Sequence, residues 1–263
     1  MRDPVNDPDD TAARNPMEAA RAAMRPQLAR RFYRVVSVAA GAGGHAVLLD
    51  DRPVRTPARE ALEVETAAAA RLVAAEWAAQ GETIDPATMP ATRIVNTAID
   101  GVAADPQAVF EDVLKFAASD LLFYRADSPR ELVARQAELW DPVIDWLRDA
   151  FGANFILAEG VVHVAQPREA LAVFASRLKL HDGALRLACL HTLTTLTGSA
   201  LLALAIAEGR LAAEAAWAAA HVDEDWNIAQ WGEDEEAARR RVRRWTEMRA
   251  AAQLLAALSH ADA

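Results

Sequence analysis

The sequence predicts an α+β protein: a small β-containing N-terminal domain followed by a mainly helical C-terminal domain. Two observations carry this. Between Arg31 and Glu65 the chain is built of short β-branched or aromatic runs, FYRVVSV, HAVLLD and ALEVE, separated by GAGG and by the proline-bearing DDRPVRTP. Beyond Thr66 the apolar residues recur at helical spacing, with one interruption, and an order of strands first and helices after is the signature of segregated layers. The division expected is a disordered leader over 1–28, the β-containing domain over 29–100 and the helical domain over 101–263, with a short hairpin near 153–167.

The leader is rich in Pro, Asp, Arg and Ala and poor in large apolar residues, so it cannot bury enough surface to offset the entropy of ordering it. FYRVVSV and HAVLLD joined by GAGG read as a hairpin, ALEVE as a third strand, and Pro53 and Pro57 belong to edges or turns. Thr66 caps a helix running to Gln80, with Gly81 as its stop. TIDPATMPATRIVNTAIDG is an extended linker leading into a short helix. Asp105 and Pro106 open the next, with Phe110, Val113, Leu114, Ala117 and Leu121 on its inner stripe.

Ser128, Pro129 and Glu131 form a capping box with proline at the first helical position. The helix they open turns Leu132, Leu139, Trp140, Val143 and Leu147 inward, and Pro142 must kink or divide it. ANFILAEGVVHVAQP breaks the helical pattern around a glycine and reads as the second hairpin. Helices then follow over about Arg168–Leu180, from Asp182 through the long apolar run with a break near Gly198, through the Trp217 segment, and over Glu233 to about Leu258.

The segment WAAAHVDEDWNIAQWGEDEE, Trp217 to Glu236, is the least ordinary part of the chain. On one straight helix it sets Trp217, His221, Glu224, Ile228 and Trp231 on one face and Val222, Trp226 and Ala229 opposite. A helix with two apolar faces is either central in a core or needs a second partner to pack against. Seven tryptophans against two tyrosines point the same way, since tryptophan is enriched where partners dock as well as in cores.

The 263 residues carry a net charge of −10, which argues against general affinity for nucleic acid or an anionic membrane. The single cysteine, Cys189, excludes an internal disulfide and fits a reducing compartment. MRDPVNDPDD has no apolar stretch of a secretory signal and is too acidic for a transit peptide, so a cytoplasmic location is expected. The charge-free run Leu187–Ala207 has the length of a membrane span, but polar residues occupy its middle and it reads as a buried helix, without membrane insertion.

Signals for chemistry are weak. GAGGHA has the spacing of a dinucleotide loop but is followed by a strand, so the helix N-terminus that would hold a pyrophosphate is missing. Cys189 and His191 cannot share a helical face, and a buried thiol beside a hydrogen-bonded histidine is the ordinary account. No HExxH, CxxC or calcium-loop pattern occurs, so no metal and no cofactor are expected. Asp141 and Asp145 would share a face as an acid–base pair, yet Asp141 reads more simply as the cap for Pro142. Glu235 and Glu236 stand four before Arg239 and Arg240, and the arginines of Arg239–Arg244 read as the wet side of a helix whose inner face is Val242 and Trp245.

Taken in order, RFYRVVSV, LDDRPVRTP, Glu76–Trp77 with Gln80 three residues on, MPATRIVNTAID, SDLLFYRA, RQAELWDPVIDW, TGSALLALA and DEDWNIAQWGEDEEA resemble the ATP synthase assembly chaperones that bind the α subunit of the catalytic head. The likeness runs from about Arg31 to Leu255, and the leader fits the bacterial kind. It implies a two-part fold and a non-enzymatic protein that holds newly made α subunit soluble until β replaces it; a monomer is expected. It also implies a functional role for an acidic residue of DEDWNIAQWGED, matched here to Glu224, and for Trp77; Asp225, Trp226 and Trp231, in the same acidic segment, are expected to share in partner binding. LDDRP stands where the family has LDGRP, so Asp51 must take a turn conformation that glycine adopts easily. The alternative is a small-molecule enzyme with a cleft between the two domains, and a DNA-binding regulator resting on Arg239–Arg244 ranks below both.

Overall fold

The computed structural model describes residues 28–160 and 162–259. The leader therefore lies almost wholly outside the described residues.

The strands come first. β1 (Val36–Ala40) and β2 (His45–Leu49) form the expected antiparallel hairpin, with Val38 opposite Val47. On the other side of β2 lie two short strands, β3 (Arg52–Pro53) beside Leu48 and Leu49, and β4 (Glu63–Val64) beside His45 and Ala46. Pro53 thus sits at a sheet edge, where its missing N–H costs nothing. The turn between β2 and β3 is made by Asp50 and Asp51 with φ of 45° and 63°, both left-handed, which is the twist a two-residue hairpin needs. Asp50 compensates, its carboxylate accepting the amides of Arg34 and Val35 at 3.0 and 2.8 Å.

Helix α1 (Ala67–Ala78) packs on β1 and β2, and Thr66 Oγ1 caps it by accepting the Ala69 amide at 3.2 Å. It ends at Ala78, short of the glycine expected to stop it. Gln80 is buried instead and its side chain takes over the local bonds, donating to the Glu76 carbonyl and accepting the Asp85 amide. A single turn at Pro86–Thr88 leads to α2 (Pro90–Asp100), whose first amides, Ala91 and Thr92, are held by the Glu76 carboxylate at 2.7 Å. Asp105 caps α3 (Pro106–Ala118) as the sequence indicated.

Helix α4 (Arg130–Phe151) runs unbroken through Pro142. Its start differs from the capping box: Pro129 is the N-cap, and Ser128 Oγ donates to Asp127. Asp141 is no cap either. It lies within the helix and pairs with Arg125 at 2.8 Å. The second hairpin does not form. β6 (Ala158–Glu159) instead pairs in parallel with β5 (Tyr124–Arg125), and Gln166 closes the following loop by bonding both the amide and the carbonyl of Ile156.

The helices α5 (Arg168–Leu178), α6 (Ala184–Thr197) and α7 (Ala200–Ala207) carry the deepest core. Gly198, at φ 68°, divides α6 from α7 where a break was expected. All of Ala200–Ala205 is buried, as suits a helix enclosed on every side. Asp120, fully buried, ties this region together by accepting the amides of Leu122 and Leu201 at 3.1 and 3.0 Å, so one carboxylate caps two helical turns. No helix among the described residues is long and apolar enough to cross a membrane.

Three helices finish the chain: α8 (Ala213–Ala220), α9 (Val222–Trp231) and α10 (Glu235–Ser259). The inner face of α10 begins at Met248 and continues through Ala251, Leu254, Leu255 and Leu258 against α6, α2 and α1. Val242, expected inside, is exposed: ahead of Met248 the covered stripe of α10 runs through Arg241, paired with Asp225, and half-buried Trp245, and Val242 is turned away from it.

Candidate functional site

The segment from Trp217 to Glu236 is not one straight helix. His221 stands between α8 and α9 with φ −116° and ψ 17°, so the face drawn through Trp217, His221, Glu224, Ile228 and Trp231 is interrupted in its first turn. Neither proline nor glycine causes the break. The His221 amide is shared between the Trp217 and Ala218 carbonyls at 3.2 and 3.3 Å, and the ring Nδ1 donates to the Trp217 carbonyl at 2.8 Å. Side chain and amide thus compete for the acceptors that a continuing helix would use.

Below the break the indoles form a floor. The Trp217 ring lies 3.8 Å from the His221 ring and 5.4 Å from Trp245, and the Arg241 guanidinium stands over it at 6.0 Å. Burial lowers the tendency of His221 to protonate, reinforced by the neighbouring Arg241 and Arg244 and opposed by the Trp217 carbonyl and Glu224. With Nδ1 donating, the neutral ring presents Nε2 as an acceptor toward Glu224, 3.9 Å away.

Helix α4 sets the positions of α8 and α9 through three side chains on neighbouring turns. Trp140, fully buried, donates Nε1 to the Ala219 carbonyl at 2.7 Å. Gln136, one turn earlier, accepts the Ala126 amide at 2.8 Å and donates to Asp223 Oδ1 at 2.7 Å. Arg135 covers the Trp226 ring at 5.1 Å. On the other side, Asp225 pairs with Arg241 of α10, and that bond raises the already high pKa of the guanidinium. Arg241 is therefore not on the wet side of its helix with Arg239 and Arg240, which pair with Glu235 and Glu236 as the spacing indicated.

The consequence is a division of labour among three adjacent acids. Asp223 is bound by Gln136 and Asp225 by Arg241, while Glu224, its side chain 41% exposed, makes no close bond among the described residues, with the His221 ring 3.9 Å away and Arg241 acting on it through charge. Glu224 is the carboxylate left available. At the far end of α9, Trp231 is 87% exposed, whereas the six other tryptophans are buried or half-buried. Trp226 is half-covered by Arg135. Trp77 is not part of this cluster: it lies on α1, packed at 5.7 Å against Tyr33, whose hydroxyl donates to the Trp77 carbonyl at 2.7 Å.

The residues that position the site, Arg135, Gln136, His221 and Arg241, are legible in the sequence only in part. Gln136 precedes Trp140 by one turn, a polar residue on an apolar face, and that was the available signal. The remaining groups considered for chemistry are occupied elsewhere. Cys189 is buried, which pushes its thiol well above the usual range, and His191 bonds Asp112 at 3.0 Å. Asp145 pairs with Arg148 at 2.7 Å. Among the described residues no group of three His, Cys, Asp or Glu is placed to hold a metal ion.

Residues 30–148 match the sequence model of the ATP12 chaperone protein family. The chain is 54% identical to the Atu1473 protein of Agrobacterium tumefaciens, with a TM-score of 0.85 over 94% of this chain and 92% of that one. It is 41% identical to Atp12 of Paracoccus denitrificans, with a TM-score of 0.80 over 87% of this chain and 98% of that one. A point variant of the Paracoccus protein gives 40% identity at the same TM-score, covering 87% and 97%. Similar throughout its fold to solved Atp12 structures, the chain belongs to the ATP12 family of ATP synthase assembly chaperones.

Proposed function

We propose that the chain binds the unassembled α subunit of the ATP synthase catalytic head and keeps it soluble until β takes its place, working in the cytoplasm as a monomer. The observation that supports this most directly is Trp231, a nearly free indole on a chain that covers its other six. An indole left in water is a cost that docking recovers, and tryptophans at the centre of interfaces dominate their energetics. An α subunit without β exposes apolar surface that aggregates unless covered. Glu224, left without a close partner, offers a charge for a basic group on that client, and Trp226 extends the apolar patch toward α4. The acids Glu233 and Asp234 follow Trp231 closely in the chain and are exposed, which favours the approach of a basic client surface.

Trp77 contributes a second contact region on α1 in this reading, and Asp225 acts through the orientation it gives Arg241 and α9. The test is co-expression of the tagged chain with the head subunits. Recovery of α without β supports the proposal; recovery of β alone, or of neither subunit, refutes it.

A further inference from the structure

A second surface stands apart from α9. Phe32, Tyr33, Trp77, Arg52, Pro53 and Arg55 line an open groove of about 610 Å³ beside the β2–β3 turn. Phe32 is 73% exposed, and the Trp77 Nε1, buried, has no hydrogen-bond partner among the described residues. Arg52 and Arg55 are exposed and make no ion pair among the described residues, the one bond of Arg55 going to the Arg59 carbonyl at 2.8 Å. The acid that lines the groove, Asp50, is already spent on the amides of Arg34 and Val35, which hold its carboxyl below the usual range. An aromatic floor with unpaired guanidinium groups suits an extended, proline-bearing, acidic segment.

The chain contains such a segment. Met1–Asp10, MRDPVNDPDD, has four aspartates against one arginine, with prolines at positions 4 and 8. In an extended polyproline form, three residues per turn put Val5 and Pro8 on one edge and Asp7 and Asp10 on another. The apolar edge matches Phe32 and Trp77, and the acidic edge matches Arg52 and Arg55. Reach is no obstacle, since Leu28 precedes Phe32 by four residues and the 18 residues from Asp10 to Leu28 are long enough to bridge up to about 60 Å. We propose that Met1–Asp10 docks intramolecularly in the Phe32–Trp77 groove. A tethered ligand of this kind acts at an effective concentration on the order of millimolar, enough to occupy the groove with modest intrinsic affinity. Docking of this segment uses no residue of α9, and Trp77 is the one residue it shares with the α-subunit contacts proposed above.

The test uses the full chain with a nitroxide attached through Asn6→Cys, a position that leaves every aspartate in place; Cys189 is fully buried and does not compete for the label. Paramagnetic broadening is read at the Phe32 and Val54 amides and at the Trp77 indole N–H. The expected result is loss of more than half of their intensity, restored by reducing the label and by about 1 M salt, where charge attraction is screened within some 3 Å. Arg52→Glu with Arg55→Glu should restore it too, as should Asp7→Asn, Asp9→Asn and Asp10→Asn, which alter only the leader and leave the groove untouched. Full intensity at these positions in the labelled parent overturns the proposal. So does broadening that persists in the leader triple variant, or that transfers to an unlabelled, isotope-enriched copy mixed in, which would make a second molecule the occupant.

Discussion

Replacing Trp231 by alanine separates binding from folding more cleanly than any other change in this chain. At 87% exposed the indole contributes almost no buried area to the fold, so its loss should move the melting temperature by no more than a surface substitution does, within about ±0.5 kcal/mol. A tryptophan side chain buries roughly 150–250 Å² when covered, and at about 25 cal/mol per Å² the upper limit of its contribution to docking is on the order of 4–6 kcal/mol. Ordering costs and an imperfect fit reduce this, and interface hot spots typically register about 2–4 kcal/mol. The expected effect is therefore a loss of affinity for isolated α subunit of roughly 30- to 1000-fold. Titration calorimetry gives the affinity, and thermal denaturation of the same preparation gives the control. A variant that binds α as tightly as the parent refutes the role assigned to Trp231, and one whose melting temperature falls by several degrees shows that the indole serves the fold.

Four further outcomes follow from particular contacts. Glu224→Gln keeps the shape of the side chain and removes its charge; at 41% exposure the effect expected is slower association with α and a flatter salt dependence in stopped-flow, with unchanged stability, and a fall in melting temperature instead would make Glu224 a partner of His221. Asp120→Ala orphans the buried amides of Leu122 and Leu201 and should cost about 2–4 kcal/mol in urea melts, Asp120→Asn less because one oxygen remains. Burial pushes Asp120 up to about 6 from 3.8, so the native state holds that proton where the unfolded state has lost it; the stability contributed by this group is greatest below the lower value and declines as pH rises to the upper, and the Asn variant should gain on the parent over that window. For His221 the sign is opposite. Its lowered pKa means that the unfolded chain takes up the proton first, so stability is present above 6.5 and is lost as pH falls below it, and the parent should lose more melting temperature than His221→Gln between neutral and mildly acidic buffer. Asp51→Gly should raise stability by about 0.5–1 kcal/mol by relieving a left-handed residue at φ 63°, and a loss would show that the aspartate side chain offsets its backbone strain.

What local patterns could reveal was set by whether one segment decides its own structure. The Thr66 and Asp105 caps, the GAGG hairpin and the Gly198 break are each fixed by residues within a few positions, and each appears as the sequence indicated. The failures share a cause of another kind. β6 is chosen by β5, more than thirty residues away, which no alternation of side chains inside ANFILAEGVVHVAQP can encode. Val242 fits an apolar stripe, but the covered side of α10 is chosen by Asp225 and Trp217, which hold Arg241 and Trp245 and leave Val242 in solvent. The break at His221 depends on a ring-to-carbonyl bond that a helical wheel ignores. The site was legible to a similar degree: the acidic motif marked the place, while which acid stays available was settled by Gln136 and Arg241, one of them far away in the chain.

Hydrogen exchange of the chain with and without α subunit tests the account most directly. Slowed exchange concentrated in residues 222–244, on α9 and the first half of α10, with a smaller patch around Trp77, is the predicted footprint. Protection elsewhere with that edge still exchanging freely would contradict it.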